Sequence, residues 1–529
     1  MNRFINLLLF VGLFSLITSC VKEDDLNFDD LSVSEWTPDI AVPLVNSSFS
    51  FNDITGWEGA DELEVDANGR ITIISSSSLY DRQADAFFNI QDQAVTAGAQ
   101  FTPAMVTALL SAPSVSVPVT QTLGFTTTNN CRIDSVLLKD GLLTLTSTNN
   151  SSVAARVVMF IEQMKKNGRP FVDTLIIPAN NNSTMVLDLT GYQLGLSQNG
   201  AVNQLEIAYG ITFFAGSLSP QVGTGIIINA EFEAMQFQMA YGYFGNLQFD
   251  IPLDSVALDF FSSNVTDSFY FADPVMKLSV ANSVGANFRL SGIQLRPIGQ
   301  QGQSIPFSTS VQSFDISAPA FPGQTAADTL VLTNANCNGT LSTALEQRPR
   351  YIEYAGTVTA NIPPVSSSNF ISADSRFQAN LRVELPLDGW SQRFTIRDTA
   401  DFNIDNLDQV DSLVFRLNVA NGFPFDAYTQ IYFVNAGFQI LDSLLLDPAD
   451  LIIAAAAVDV NGYAVAPART MHDEPLGQDR ISRILSCEKM IIVSVLRTTG
   501  APLRSVKITD RDQLDVKIGA RARLAVSVN

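Results

Sequence analysis

The chain has 529 residues, 53 of them acidic and 31 basic, giving a net charge of −22 at neutral pH and a pI near 4.3. That balance excludes nucleic-acid binding driven by phosphate neutralisation and argues against direct adhesion to anionic lipid. An apolar content of 46% excludes an intrinsically disordered chain, and the length suffices for several domains.

At the N-terminus, Arg3 is the only charge before an apolar run over residues 7–17. The run is shorter than the ~20 residues that span a bilayer, so residues 1–19 read as a cleaved secretory signal and are set aside from the fold. Cys20 follows, with Val21-Lys22-Glu23-Asp24-Asp25 behind it. This arrangement resembles a bacterial lipoprotein signal, in which the peptide is cut before a cysteine whose thiol then carries lipid. Lys22, Glu23 and Asp24 resemble the lipoprotein export signal of Bacteroidota. The resemblance implies lipidation at Cys20, attachment to the outer membrane and exposure on its outer face. Residues 20–38 read as an acidic tether.

Turn chemistry then points to an all-β body. Asn-Gly, a strong hairpin signal, occurs at Asn68, Asn167, Asn199, Asn338, Asn421 and Asn461, and Asp-Gly occurs at Asp140 and Asp388. Between turns the period is two: Phe377, Ala379, Leu381, Val383 and Leu385 alternate with polar neighbours. Residues 39–113 read as a smaller N-terminal β-rich module, entered at Val42-Pro43-Leu44. It holds one short helix over 103–110, with Thr102 as N-cap and Pro103 at the first helical position. A second short helix is expected over 480–486.

Internal repetition organises the rest. Leu247-Gln248-Phe249-Asp250-Ile251-Pro252-Leu253-Asp254 parallels Leu381-Arg382-Val383-Glu384-Leu385-Pro386-Leu387-Asp388, with a weaker copy around Pro118. The three prolines are spaced 134 residues apart. About thirty residues after each, an alternating strand ends at Asn149, Asn282 or Asn421. The expected architecture is a tandem array of β-sandwich repeats over 114–246, 247–380 and 381–529. The prolines mark the junctions, because proline lacks the N–H that a central strand needs. Strand 524–528 resembles the strand before each proline and closes the last repeat. The strands loosely resemble those of immunoglobulin-like and LEA-type sandwich domains, which implies a sandwich fold and no particular activity.

Candidate chemistry is sparse. His472 is the only histidine, which excludes most histidine-built metal centres; it stands in Met471-His472-Asp473-Glu474-Pro475, read as a polar surface loop. There is no Gly-x-Ser-x-Gly elbow and no phosphate loop. Cys131, Cys337 and Cys487 are spaced too widely for a metal knuckle and read as buried free thiols. Asp66–Gly69 and Asp459–Gly462 read as hairpin turns, since they lack the spaced ligands of a calcium loop. Phe423 and Phe425 read as core. A carboxylate pair could serve a hydrolase, but sequence alone pairs none of the 53 acids. The expectation is therefore a non-enzymatic protein with no cofactor and no metal, held to the membrane by its lipid anchor and acting as a scaffold at the surface. The alternative is a lipoprotein that captures a glycan or an apolar molecule. A surface protein or a glycan is the expected kind of partner.

Overall fold

Alternation in the sequence becomes alternation in burial: along Tyr351–Ala360 every second side chain is buried and the others stay half-buried. The computed structural model describes residues 38–51, 62–126, 131–197, 200–258, 261, 269–362, 368–401, 410–446 and 452–524. The fold is all-β. Its helices are short: α1 (Pro103–Leu109), α2 (Thr340–Glu346) and α3 (Gln478–Leu485). In α1 the Thr102 hydroxyl accepts from the Met105 N–H at 3.3 Å, the cap expected from sequence.

Three long strands lead the chain, β1 (Asp39–Phe49), β2 (Ile71–Gln83) and β3 (Gln93–Gln100), with a short strand Glu62–Val65 paired to the outer side of β2. Next come β4 (Ser114–Gly124), β5 (Arg132–Asn149), β6 (Ala155–Lys166), β7 (Arg169–Ile177), β8 (Asn181–Asp188), β9 (Gln204–Phe214) and β10 (Gly225–Tyr243). With β3, these seven form a first sandwich, of sheets β3-β10-β5-β8 and β4-β9-β6-β7.

The chain continues with β11 (Gln248–Ala257), β12 (Val275–Asn282), β13 (Phe288–Ile298), β14 (Ser313–Ile316), β15 (Ala326–Leu332), β16 (Tyr351–Ala360) and β17 (Arg376–Pro386). Together with β2 they make a second sandwich, β2-β17-β12-β15 on β11-β16-β13-β14. Last are β18 (Phe394–Asp401), β19 (Val410–Asn421), β20 (Phe425–Val434), β21 (Ile440–Ser443), β22 (Ala468–Leu476), β23 (Lys489–Thr498) and β24 (Leu514–Leu524). With β1 they build a third, β1-β24-β19-β22 on β18-β23-β20-β21.

Counted along the chain, each sandwich has its eight strands in the order first-eighth-third-sixth packed on second-seventh-fourth-fifth, with every pairing antiparallel. That is a jelly roll, in place of the seven-stranded arrangement of an immunoglobulin sandwich.

The N-terminal module does not exist as a separate unit. Its strands β1, β2 and β3 are the first strands of the third, second and first sandwiches respectively. The first sandwich is therefore nested within the second, and the second within the third. The physical reason is that an isolated strand satisfies neither its apolar face nor its backbone groups; each of the three finds both beside an eighth strand. The expected boundary between 380 and 381 also falls inside β17, whose pairing with β12 runs unbroken from Phe377↔Asn282 to Glu384↔Val275.

The equally spaced prolines are not equivalent. Pro118 and Pro252 lie in the edge strands β4 and β11, Pro252 at a break in register between Ile251 and Asp254, whereas Pro386 ends β17. Pro43 sits at a bulge in the edge strand β1. All four are at edges or strand ends, where a missing N–H costs least, but only Pro386 closes an eighth strand. Asn167-Gly168 turns β6 into β7 with both residues at positive φ (54° and 76°). Asp140-Gly141 does not turn the chain: it lies within β5, where Gly141 adopts φ 145° at a bulge and a Cβ would stand 3.2 Å from Met235. Asp388-Gly389 likewise falls in a short strand, Asp388–Trp390. Strand 524–528 lies outside the described residues beyond Leu524.

Asn149, Asn282 and Asn421 are the true repeat signature. Each ends the third strand of its sandwich and is fully buried. Each Oδ1 accepts the N–H two residues on, from Ser151, Val284 and Phe423 (3.0, 2.9 and 3.0 Å). Each Nδ2 donates to the carbonyl four residues on, of Val153, Ala286 and Phe425 (2.8, 3.0 and 2.8 Å). The same nitrogen donates to a more distant carbonyl, of Pro178, Ser317 and Ala454 (3.0, 2.9 and 2.9 Å). One side chain thus pins the third-to-fourth crossover to the segment that follows the fifth strand.

Two junctions join the nest. Between the second and third sandwiches, Tyr270–Phe271, Asp388–Trp390 and Val506–Lys507 form a three-stranded sheet. There the buried Asp388 carboxylate meets Lys507 Nζ at 2.6 Å, and the Tyr270 and Trp390 rings stack at 5.2 Å. Between the first and second, the strand Asn369–Ser372 pairs with the end of β10. Asn361 and Asn369 hydrogen-bond each other there and reach the Gly245 and Gly285 carbonyls.

Candidate functional site

Cys20, Lys22, Glu23 and Asp24 lie outside the described residues, as do Trp36 and Trp57. Cys131, Cys337 and Cys487 are separate buried thiols, and burial raises the pKa of each. A thiol held protonated in apolar surroundings is a poor nucleophile.

His472 is not in a loop. It lies in β22, an edge strand that accommodates Pro475 opposite Val414 of β19. Its Nε2 stands 3.2 Å from Glu474 Oε2. Glu474 also accepts from Arg480 Nη1 at 2.7 Å, and Asp442 accepts from Arg480 Nε at 3.3 Å and Arg483 Nε at 2.9 Å. Arg480 Nη2 donates to the Ser443 and Leu444 carbonyls. The network fastens α3 to β21 and β22, so the charged groups around the histidine are spent on structure. The hydrogen-bond partner given by the structure for the histidine ring is Glu474, a group of the same strand.

Asp66 and Asp459 turn their carboxylates onto their own loops, accepting from the N–H groups of Asn68 and Arg70, and of Asn461 and Tyr463. These are hairpin turns in which Oδ1 of each aspartate is already committed. Among the described residues no group of three or more His, Cys, Asp or Glu side chains is placed to hold a metal ion. Phe423 and Phe425 are buried and stacked, with centroids 4.9 Å apart.

The concave features lie in the second sandwich. Between its sheets is an apolar cavity of about 30 Å³, bordered by Leu278, Leu290, Tyr354 and Phe377; it is large enough for a water-sized molecule and far too small for an acyl chain. On the outer side of β13 lies an open groove of about 510 Å³. One wall is residues 292–296 of β13 and the other is the segment 304–312, with Leu253 and Glu353 at its margins. Sequence reasoning missed this groove entirely, since it arises from a mismatch in strand register that no local motif encodes. A smaller groove of about 320 Å³ lies on the first sandwich beside Phe160, Glu162 and Glu206.

The fold thus defines the class: an all-β protein of three nested jelly rolls, with an open groove on the middle one. The chain matches no family of known sequences and no curated protein. Among solved structures it is similar to a Parabacteroides distasonis protein designated as secreted, at 11% identity over 66% of this chain and 99% of that one, with a TM-score of 0.19. It is also similar to a mutant VP2 protein of infectious bursal disease virus in T=1 particles, at 8% identity over 83% of this chain and 78% of that one, with a TM-score of 0.15. The VP2 subviral particle of the same virus gives 8% identity over 85% and 82%, with a TM-score of 0.14. At such TM-scores none of these likenesses establishes a shared fold or function.

Proposed function

We propose that this chain is a non-enzymatic, lipid-anchored scaffold of the cell envelope, attached to the outer membrane through Cys20 and carried to its outer face by Lys22, Glu23 and Asp24. The observation that carries the reading is the short apolar signal ending at Cys20 with the lysine-acidic run behind it. The nested topology supports a presenting role. On this reading the tether enters β1, which belongs to the third sandwich, so that sandwich is the first the chain reaches from its anchor. The chain then passes to the second sandwich and on to the first before returning. A stretch as long as residues 20–38 spans at most about 65 Å, at ~3.3–3.6 Å per residue. Each junction is crossed twice by the chain, which couples adjacent sandwiches more stiffly than a single linker would.

Protease shaving of intact cells tests the address. The native chain is digested at the surface, whereas a form with Lys22, Glu23 and Asp24 replaced by alanine is protected. Equal protection of both forms places the protein on the periplasmic face and removes the presenting role. A Cys20→Ala form that still fractionates with membranes defeats the anchor.

A further inference from the structure

We propose that the groove beside β13 is a binding site for a neutral saccharide. The inference stands on the second sandwich alone and does not depend on how the chain is anchored.

The first sandwich supplies an internal template. The fourth strand starts six residues after the buried asparagine in both, at Ala155 and at Phe288. In the first sandwich the fifth strand covers the fourth continuously from Ala155↔Ile177 to Ile161↔Phe171. In the second, the cover stops after four pairs, Phe288↔Ile316 to Ser291↔Ser313. The chain rejoins β13 only at its far end, where Ile298 bridges Ser304 and the Ile305 N–H donates to the Pro297 carbonyl at 2.8 Å. Five residues of β13, 292–296, therefore face seven, 306–312, and the longer side arches away.

Hydrogen bonds hold the arch open. The Ser310 N–H and Thr309 hydroxyl donate to the Asn336 carbonyl (2.8 and 3.0 Å), and the Ser308 N–H donates to Thr340 Oγ1 at 3.1 Å. The Thr340 hydroxyl returns a bond to the Ser308 carbonyl at 3.1 Å. The space is thus built into the fold rather than left by loose packing. Along 292–296 the backbone has no strand partner on the groove side among the described residues. Residues 292, 294 and 296 are exposed and 293 and 295 half-buried, so backbone groups left unpaired there are open to a polar partner.

The lining selects the ligand. Its only charges are Arg296 and Glu353, which pair with each other. Gln294 and Gln312 are exposed, with no side-chain hydrogen bond among the described residues, and Ser304 adds a hydroxyl. Leu253 and Phe307 add an apolar surface. Amides and backbone groups that both donate and accept match a ring of hydroxyls, while Leu253 and Phe307 suit its C–H face. The volume falls in the ~300–1,000 Å³ range of small-ligand sites. Anionic polymers are disfavoured, because the groove has no uncompensated cation and the chain carries a net charge of −22. An extended peptide is disfavoured because the hairpin closes onto β13 at both ends of the groove, so no strand can run through.

The test is affinity electrophoresis of the full chain, without its signal, in native gels holding dextran, mannan, xylan, β-glucan or amylopectin, with heparin as the anionic control. At least one neutral polymer retards the protein. Retardation weakens at least tenfold in Gln294→Ala/Gln312→Ala, which strips the free amides, and in Gln312→Trp, which fills the space. Both sites are exposed, and an unchanged melting temperature confirms folding. Thr120→Ala, on the first sandwich, leaves retardation intact. No retardation by any neutral polymer, retardation by heparin alone, or equal retardation of the groove variants overturns the proposal. Selection of an extended peptide that binds the native chain and not the Gln312→Trp form overturns it as well.

Discussion

Replacing Asn421 with alanine tests whether the repeated asparagine holds each jelly roll together. The substitution leaves one buried N–H, that of Phe423, and two carbonyls, of Phe425 and Ala454, without their partner. A buried group stripped of its hydrogen bond costs about 1–3 kcal/mol, with carbonyls toward the lower end because each has a second lone pair. The sum is about 3–5 kcal/mol, a large part of the ~5–15 kcal/mol that stabilises a typical domain. For a unit of this size each kcal/mol moves the melting temperature by roughly 2–4 °C, so a drop on the order of 10 °C is expected. Scanning calorimetry measures it, and hydrogen exchange localises it, with protection lost first over residues 421–425 and 452–456. Asn421→Asp is worse than alanine at neutral pH, because it aims a carboxylate at two carbonyls. Asn418→Ala, exposed on the same strand, stays within about 0.5 kcal/mol. Equivalent changes at Asn149 and Asn282 give similar losses. A loss below 1 kcal/mol at Asn421, or one no greater than at Asn418, would refute the claim that the side chain is the clamp.

Three further outcomes follow from the structure. Burial raises the Asp512 carboxyl to about 6 from 3.8, so its contribution favours the fold below pH ~4 and is lost as pH rises through ~6, by up to about 3 kcal/mol at pH 7. Asp512→Asn therefore raises the melting temperature at pH 7.5 and leaves it unchanged at pH 4; equal shifts at both values contradict the assignment. Lys507→Ala strands the buried Asp388 charge at the junction of the second and third sandwiches and costs about 3–5 kcal/mol. The pair Asp388→Asn/Lys507→Met recovers most of it in chemical denaturation. Finally, residues 93–243 contain all eight strands of the first sandwich and fold alone by circular dichroism and proteolysis. Residues 381–529 lack β1 and do not reach the stability they have in the whole chain; equal resistance of that fragment to proteolysis would contradict the nested pairing.

Much of the strand content was legible from residues alone, and the reasons are local. Period-two burial at 377–385, the capped helix at Thr102 and the Asn167-Gly168 turn each depend on neighbours in the chain. The asparagine repeat was visible too, but not its work, because the second carbonyl it holds lies 29–35 residues away (Pro178, Ser317, Ala454). His472 was misplaced because Asp473, Glu474 and Pro475 are loop-forming residues by composition, and an edge strand tolerates all three. Helix α2 escaped notice for want of a cap: Gly339 precedes it at φ 73° and offers no side-chain acceptor.

The nesting was illegible for a deeper reason. β1 pairs with β24 mainly through backbone groups, from Asp39 opposite Arg523 to Phe49 opposite Leu514, and these leave no mark on residue identity; the ion pairs of Asp39 with Arg521 and Arg523 join residues near opposite ends of the chain, which sequence alone does not match. The same anonymity hides the groove, since five residues facing seven is a fact of register and not of composition. Yet both features follow from one rule. A jelly roll closes only when its first strand lies beside its eighth, and here the first strands of all three are made before any eighth strand exists. As the chain is synthesised, the innermost sandwich is therefore the first that can be completed and the outermost the last. A consequence is that the outermost unit depends on strands near both ends of the chain, β1 and β24, whereas the innermost depends on neither.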